Sequence, residues 1–233
     1  MTPLRIRYRF VLPDGAPEVF DLFFDAGDFK LLNPRPAQLP FWTELGCNQC
    51  ENCPLKASDT PHCPVAVQLV GVIERLERVV SFEQVRVDVY SPERAVSQET
   101  TAQQALSSML GLIMASSGCP RTQFLRPMAR FHLPLATEAE TIYRTLSMYA
   151  LARLMRPMQE DAAPEAEPFA NLKQLYEELH IVNRGVTRRL GAATRNDPAR
   201  NAVVLLDAYA TLLPHALEQS LDELRPLFRA FPI

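Results

Sequence analysis

Hydrophobic and polar positions alternate strictly at the start of the chain. Leu4, Ile6, Tyr8 and Phe10 are separated by Arg5, Arg7 and Arg9, the period of two expected of a half-buried strand. Pro13-Asp14-Gly15 marks a turn, and 19–24 reads as the returning strand of a hairpin. The three arginines would share the solvent face, where Glu18, Asp21 and Asp25 are available to neutralise them across the hairpin. Val85, Val87 and Val89 alternate with Arg86 and Asp88 and predict another strand. Ser91-Pro92 is its turn, and 95–97 a short partner.

Elsewhere the period lengthens. Ala66, Leu69, Val70, Ile73 and Leu76 fall on one face of a helix that opens at Pro64, with Cys63 near its N-cap. Thr101-x-x-Gln104 and Thr137-x-x-Glu140 are capping-box signatures. The first leads into Ala105, Leu106, Met109, Leu110, Ile113 and Met114. The second opens a helix with Ile142, Leu146, Tyr149 and Leu154 expected inward. Residues 1–158 therefore predict an α+β domain, a small antiparallel sheet covered on one face by helices. The stretch 159–168 has acidic residues, alanines and two prolines without a period, and reads as a linker.

Past it, Leu172, Leu175, Leu179, Val182, Val186 and Leu190 step by three and four. Leu206, Tyr209, Leu213, Ala216, Ser220, Leu224 and Leu227 do nearly the same, with Asn196-Asp197-Pro198 as the turn between. Residues 169–233 thus predict an antiparallel helical hairpin, kinked at Pro214. A hairpin alone makes a thin core. Its stripes are expected to dock on the first domain or to pair with a second copy, most simply as a homodimer.

Composition narrows the class. The 233 residues are 47% hydrophobic and 22% charged, as in ordinary globular proteins. A net charge of -3 lacks the basic excess of a dedicated nucleic-acid binder. Eight glycines against twenty prolines imply elements punctuated by proline. The first residues hold no apolar leader, and no apolar run approaches the ~18 residues of a membrane span. An odd five cysteines, grouped four plus one, fit a reducing compartment better than a disulfide framework, so a cytoplasmic protein is expected.

The candidate chemistry lies in those cysteines. Cys47, Cys50, Cys53 and Cys63 are spaced C-x2-C-x2-C-x9-C, within the loop 47–63. Two-residue gaps point successive thiolates at one centre, so a metal site is expected. Four thiolates leave no open coordination position, the mark of structural zinc. The alternative is a [4Fe-4S] cluster in a redox or sensor protein, because C-x2-C-x2-C followed by Cys-Pro resembles the ligand run of bacterial ferredoxins. The final gap of nine, the single run and the absence of glycine between ligands depart from that pattern. His62, adjacent to Cys63, is expected to support a ligand rather than replace one.

A second candidate is Cys119-Pro120-Arg121-Thr122. With a helix opening at Pro120, the thiol would sit at its positive end, followed by Arg126, Arg130 and His132. That arrangement makes an anion or ligand pocket, or a reactive thiol for an enzyme. The competing reading is a small buried cysteine with arginines facing solvent. The C-x5-R phosphatase loop is not matched, since Leu125 stands where the arginine belongs. Glu177-x-x-His180 has the spacing of di-iron bundles, but a second such pair is missing, and His215 has no recognisable partner motif. No P-loop, dinucleotide turn, HExxH or nucleophile elbow occurs.

Together with the cysteine loop, the run SSGCPRTQFLRPMARFHLPLA from 116 to 136 resembles an uncharacterised family of bacterial proteins. The resemblance covers about the first two-thirds of the chain and implies no activity. The expectation is a metal-binding protein that acts through a protein partner or a ligand, without evident catalysis.

Overall fold

The alternating run at the start forms β1 (Leu4–Val11), and Pro17–Phe24 returns beside it as β2. Gly15 supplies the positive φ of 79° that the turn between them requires. The computed structural model describes residues 2–155, 169–193 and 197–230, with backbone alone for 213 and 215–220. β3 (Gln84–Tyr90) pairs with the other side of β1, and β4 (Ala95–Thr101) closes the sheet in the order β2-β1-β3-β4, antiparallel throughout. The fold is mixed α+β, as the pattern predicts. β4 runs four residues beyond the expected 95–97 because its polar 98–101 stretch lies on an edge, where burial does not demand alternation.

Register puts one set of side chains inward. Tyr8 sits opposite Phe20 on one neighbour and Val89 on the other, and Phe10 opposite Val87. The other face carries charge. Arg7 is bonded twice to Asp21, at 2.9 and 2.8 Å, while Arg9 reaches Asp88 at 2.9 Å. Glu18 instead holds Arg75, and Asp25 caps its own turn through the amides of Gly27 and Asp28. Asp88 is only 3% exposed. Ser97, Arg86 and Arg9 all donate to its carboxylate, at 2.6, 3.0 and 2.9 Å.

The helices are α1 (Pro64–Arg75), α2 (Ala102–Ser116), α3 (Arg126–Arg130), α4 (Glu138–Leu154), α5 (Ala170–Ala193) and α6 (Pro198–Leu224). Cys63 is the N-cap of α1, and Thr137 with Glu140 completes a reciprocal capping box on α4. The chain after Pro120 does not enter a helix at once. It turns, makes a 3-10 segment at Gln123–Leu125, and becomes α3 only at Arg126. Leu154, expected inward, is 82% exposed at the end of α4.

α5 and α6 pack along each other in opposite directions, with His180 meeting Asp207 at 2.8 Å and Gly191 lying against Arg200. They also complete the main core. Val182, Val186, Leu190, Ala199, Ala202 and Val203 join one cluster with the sheet, α1 and α2. A second cluster joins Ile142, Leu146 and Tyr149 of α4 to Leu172, Tyr176, Leu179 and Ala210. α6 continues through Pro214. The expected linker 159–168 and Asn196 of the expected turn lie outside the described residues.

Candidate functional site

Backbone bonds zip the base of the cysteine loop. Cys63 N donates to Thr43 O at 2.8 Å, and Leu45 N to Pro61 O at 2.7 Å. Thr43 sits in the 3-10 turn Phe41–Thr43 that follows the prolines, beside Trp42, which is 5% exposed in the core. His62 is used here, with Nδ1 2.9 Å from Thr43 Oγ1. Farther along, Cys53 N bonds to Cys50 O at 3.0 Å, and Asn48 takes a positive φ of 48°.

α5 covers the loop. Arg189, 2% exposed, donates from Nη1 to Trp42 O at 2.6 Å and Glu44 O at 2.5 Å, and from Nη2 to Leu45 O at 3.1 Å. Asn52 Nδ2 donates to Glu178 O at 3.0 Å. Cys50 packs on Gly185, where an added Cβ would lie 2.5 Å from its sulfur. Sequence reasoning missed Gly185 and Arg189. A glycine inside a strongly periodic helix was the available signal for the first; the second was hidden beside Arg188 in what looks like a charged face.

Cys119 belongs to the same region. Arg121, two residues on, donates from Nε to Asn52 O at 2.8 Å and pairs with Glu178 at 2.7 Å. This ties the 119–122 turn to the residue before Cys53. Cys47, Cys50, Cys63 and Cys119 all pack against the main core. Burial pushes the Cys50 thiol up to about 12, helped by Cys63, Cys119 and Cys53 and opposed by Arg189. Cys119 is also pushed up by burial, against the amides of Arg121 and Thr122 and with Cys63 adding to the rise. No helix opens at Pro120 to lower it, so burial wins. Among the described residues, no three His, Cys, Asp or Glu side chains converge closely enough to hold a metal ion.

The arginines near Cys119 do not form a single pocket. Arg121 goes to Glu178, Arg126 to Asp28 at 3.4 Å, and Arg130 to Glu93 at 3.5 Å. Thr122 Oγ1 donates to Met114 O at 2.6 Å. His132 Nε2 is 2.5 Å from Tyr8 Oη, and burial pushes its pKa down to about 3, leaving it neutral. His180 meets Asp207 on α6, away from any second Glu-x-x-His pair, and the His215 side chain lies outside the described residues.

Residues 6–229 match a family model described as Domain of unknown function (DUF6901). The chain belongs to this family. The DUF6901 match runs through the cysteine loop, Cys119, α5 and α6 alike. No curated protein and no solved structure matches the chain.

Proposed function

We propose that this DUF6901 protein binds a metal through Cys50, Cys53 and Cys63 of the loop joined by Cys119, and that the metal fastens the loop beneath α5. The observation that carries the reading is the bond from Arg121 Nε to Asn52 O at 2.8 Å, which holds the turn after Cys119 against the residue before Cys53; the upward push on the Cys50 thiol, to which Cys63, Cys119 and Cys53 add after burial, agrees with it. Spacing alone favours Cys47 as the fourth ligand. Cys47 lies at the loop entrance, its amide donating to Glu44 O and its sulfur accepting from Asn48 Nδ2 at 3.8 Å, and the proposal gives its place to Cys119. A thiol buried to a pKa of about 12 becomes a thiolate only when a cation compensates its charge. Four thiolates on zinc leave no open position, so the role is structural and the protein acts through a protein partner or ligand. A reducing, cytoplasmic setting keeps such thiols available. No described helix is long and apolar enough to cross a membrane.

One observation favours an iron-sulfur cluster as second reading. A tetrahedral zinc with Zn–S near ~2.3 Å usually draws on two separated cysteine pairs, whereas Cys47, Cys50 and Cys53 in one run followed by Cys63-Pro64 resemble a ferredoxin ligand run. A four-iron cluster fills a wider cage. Metal analysis and a visible spectrum of anaerobically purified protein separate the two. Zinc protein is colourless and indifferent to dithionite; a cluster is brown and bleaches on reduction or in air. Cys119→Ser is expected to lose metal as completely as Cys50→Ser, with Cys47→Ser retaining it. The reverse pattern would return the site to the contiguous run of the loop, and wild-type protein without stoichiometric metal removes the reading.

Self-association as a homodimer remains part of the proposal, but its surface moves. The inward stripes of α5 and α6 are used inside the fold. Among the described residues, the large apolar side chains left exposed on α6 and its 3-10 extension are Val204, Leu212, Leu227 and Phe228, exposed by 49, 53, 77 and 48%.

A further inference from the structure

A cavity of about 440 Å³ lies where α2, α3, α4, α5 and α6 meet, in the size range of small-molecule sites. Its wall is chiefly apolar, with Met114, Leu125, Met128, Leu133, Leu179 and Leu206 among the lining residues. Among the described lining residues the one arginine is Arg144, on α4. Its Nη2 donates to Met128 O and Phe131 O, at 2.7 and 2.9 Å, which fixes the guanidinium in place. It makes no ion pair with any described residue. Glu140, one turn earlier on α4, is engaged by the amide and hydroxyl of Thr137, at 2.8 and 2.9 Å. The charge of Glu140 still reaches Arg144, as do Tyr176 and Arg94, while His132, also in the lining, is held neutral by burial. On the α5 wall, Asn183 is 1% exposed and its Nδ2 has no partner among the described residues.

A fixed, half-buried guanidinium beside an apolar chamber calls for an anion with a hydrocarbon body. We propose that the cavity binds a small amphipathic monocarboxylate, its carboxylate on Arg144 and its apolar body among the α2, α5 and α6 side chains. One guanidinium offsets one carboxylate, and with Nη2 taken by the two carbonyls it is Nε–H or Nη1–H that would donate the charge-assisted bond. A phosphate carries more charge than a single arginine offsets, and among the described residues no second arginine or lysine lines the chamber. The site is separate from the thiols and does not depend on what they hold.

Decanoate and 1-decanol, titrated calorimetrically into the full-length protein, share a hydrocarbon body and differ at the head. Both are expected to bind, decanoate more tightly. Arg144→Gln should weaken decanoate by about tenfold or more while leaving 1-decanol within about twofold. Thr141→Glu is the second variant. Thr141 also lines the cavity, three residues before Arg144 on α4, and a carboxylate there would occupy the guanidinium from within. It should remove decanoate binding and spare 1-decanol even if Arg144→Gln fails to fold. Absence of decanoate binding to the wild type, or equal weakening of both probes in Thr141→Glu, overturns the proposal.

Discussion

At position 185 a hydrogen atom is all that α5 can present to Cys50. A Cβ there would lie 2.5 Å from the sulfur and 3.4 Å from the Cys50 Cβ. A glycine inside a helix costs about 1 kcal/mol relative to alanine, and α5 carries that cost where the thiol comes closest. Gly185→Ala is expected to push the Cys50 sulfur off its 3.9 Å contact with the Val182 carbonyl, while α5 becomes the better helix. The two effects offset, so stability in urea should move by less than about 1 kcal/mol. The Cys50 peptide should nevertheless be alkylated severalfold faster, as read by mass spectrometry. Unchanged alkylation would show that the loop yields without moving the thiol. The glycine was visible in the sequence, but helical spacing does not say which neighbour approaches a gap in the stripe. Arg189 was equally hidden. An Arg188-Arg189 pair looks solvent-facing until the carbonyls of the 42–45 turn are placed against it.

Among the elements, β3 carries the sheet's buried carboxylate, Asp88. Burial would raise the Asp88 carboxyl, but the bonds from Ser97, Arg86 and Arg9 outweigh it and hold it below the usual carboxylate range. A lowered folded-state pKa means that the carboxylate contributes stability above its unfolded value near ~3.9 and loses it as pH falls through the folded value. Asp88→Asn should cost about 1–2 kcal/mol at neutral pH. Its gap to the wild type should close as pH drops below about 4, measured by urea denaturation across that range. A gap that does not vary with pH would assign the effect to packing. The alternation that revealed β1, β2 and β3 reflects one wet and one dry face, and it carried the sheet almost entirely. It could not reveal the far half of β4, where both faces of 98–101 tolerate polar residues. Nor could it foresee α3 starting at Arg126, because Pro120 permits a helix start and equally permits the turn that forms.

At the scale of the whole molecule, the sequence identified which stripes needed partners but not which partners they find. Val182, Val186 and Leu190 meet the sheet-and-helix core, and that packing redirects any dimer to the outer side of α6. Val204→Glu combined with Leu212→Glu should therefore convert a dimer into a monomer by light scattering, with the helical circular dichroism retained. A wild-type protein that is monomeric at high concentration removes the dimer altogether. The covering of the cysteine loop by α5 also has a consequence in time. The loop and Cys119 leave the ribosome well before Gly185 and Arg189, with more than half of the intervening chain still to be made when Cys119 appears. At roughly 5–20 residues per second, the interval between Cys63 and Gly185 is on the order of ten seconds. Through that interval the thiols stand fully open, whereas in the finished chain they are half-buried and Cys50 is packed against Gly185 of α5. On the metal-binding proposal, loading during synthesis would be faster than reloading a stripped, folded protein, in which α5 already lies on the loop.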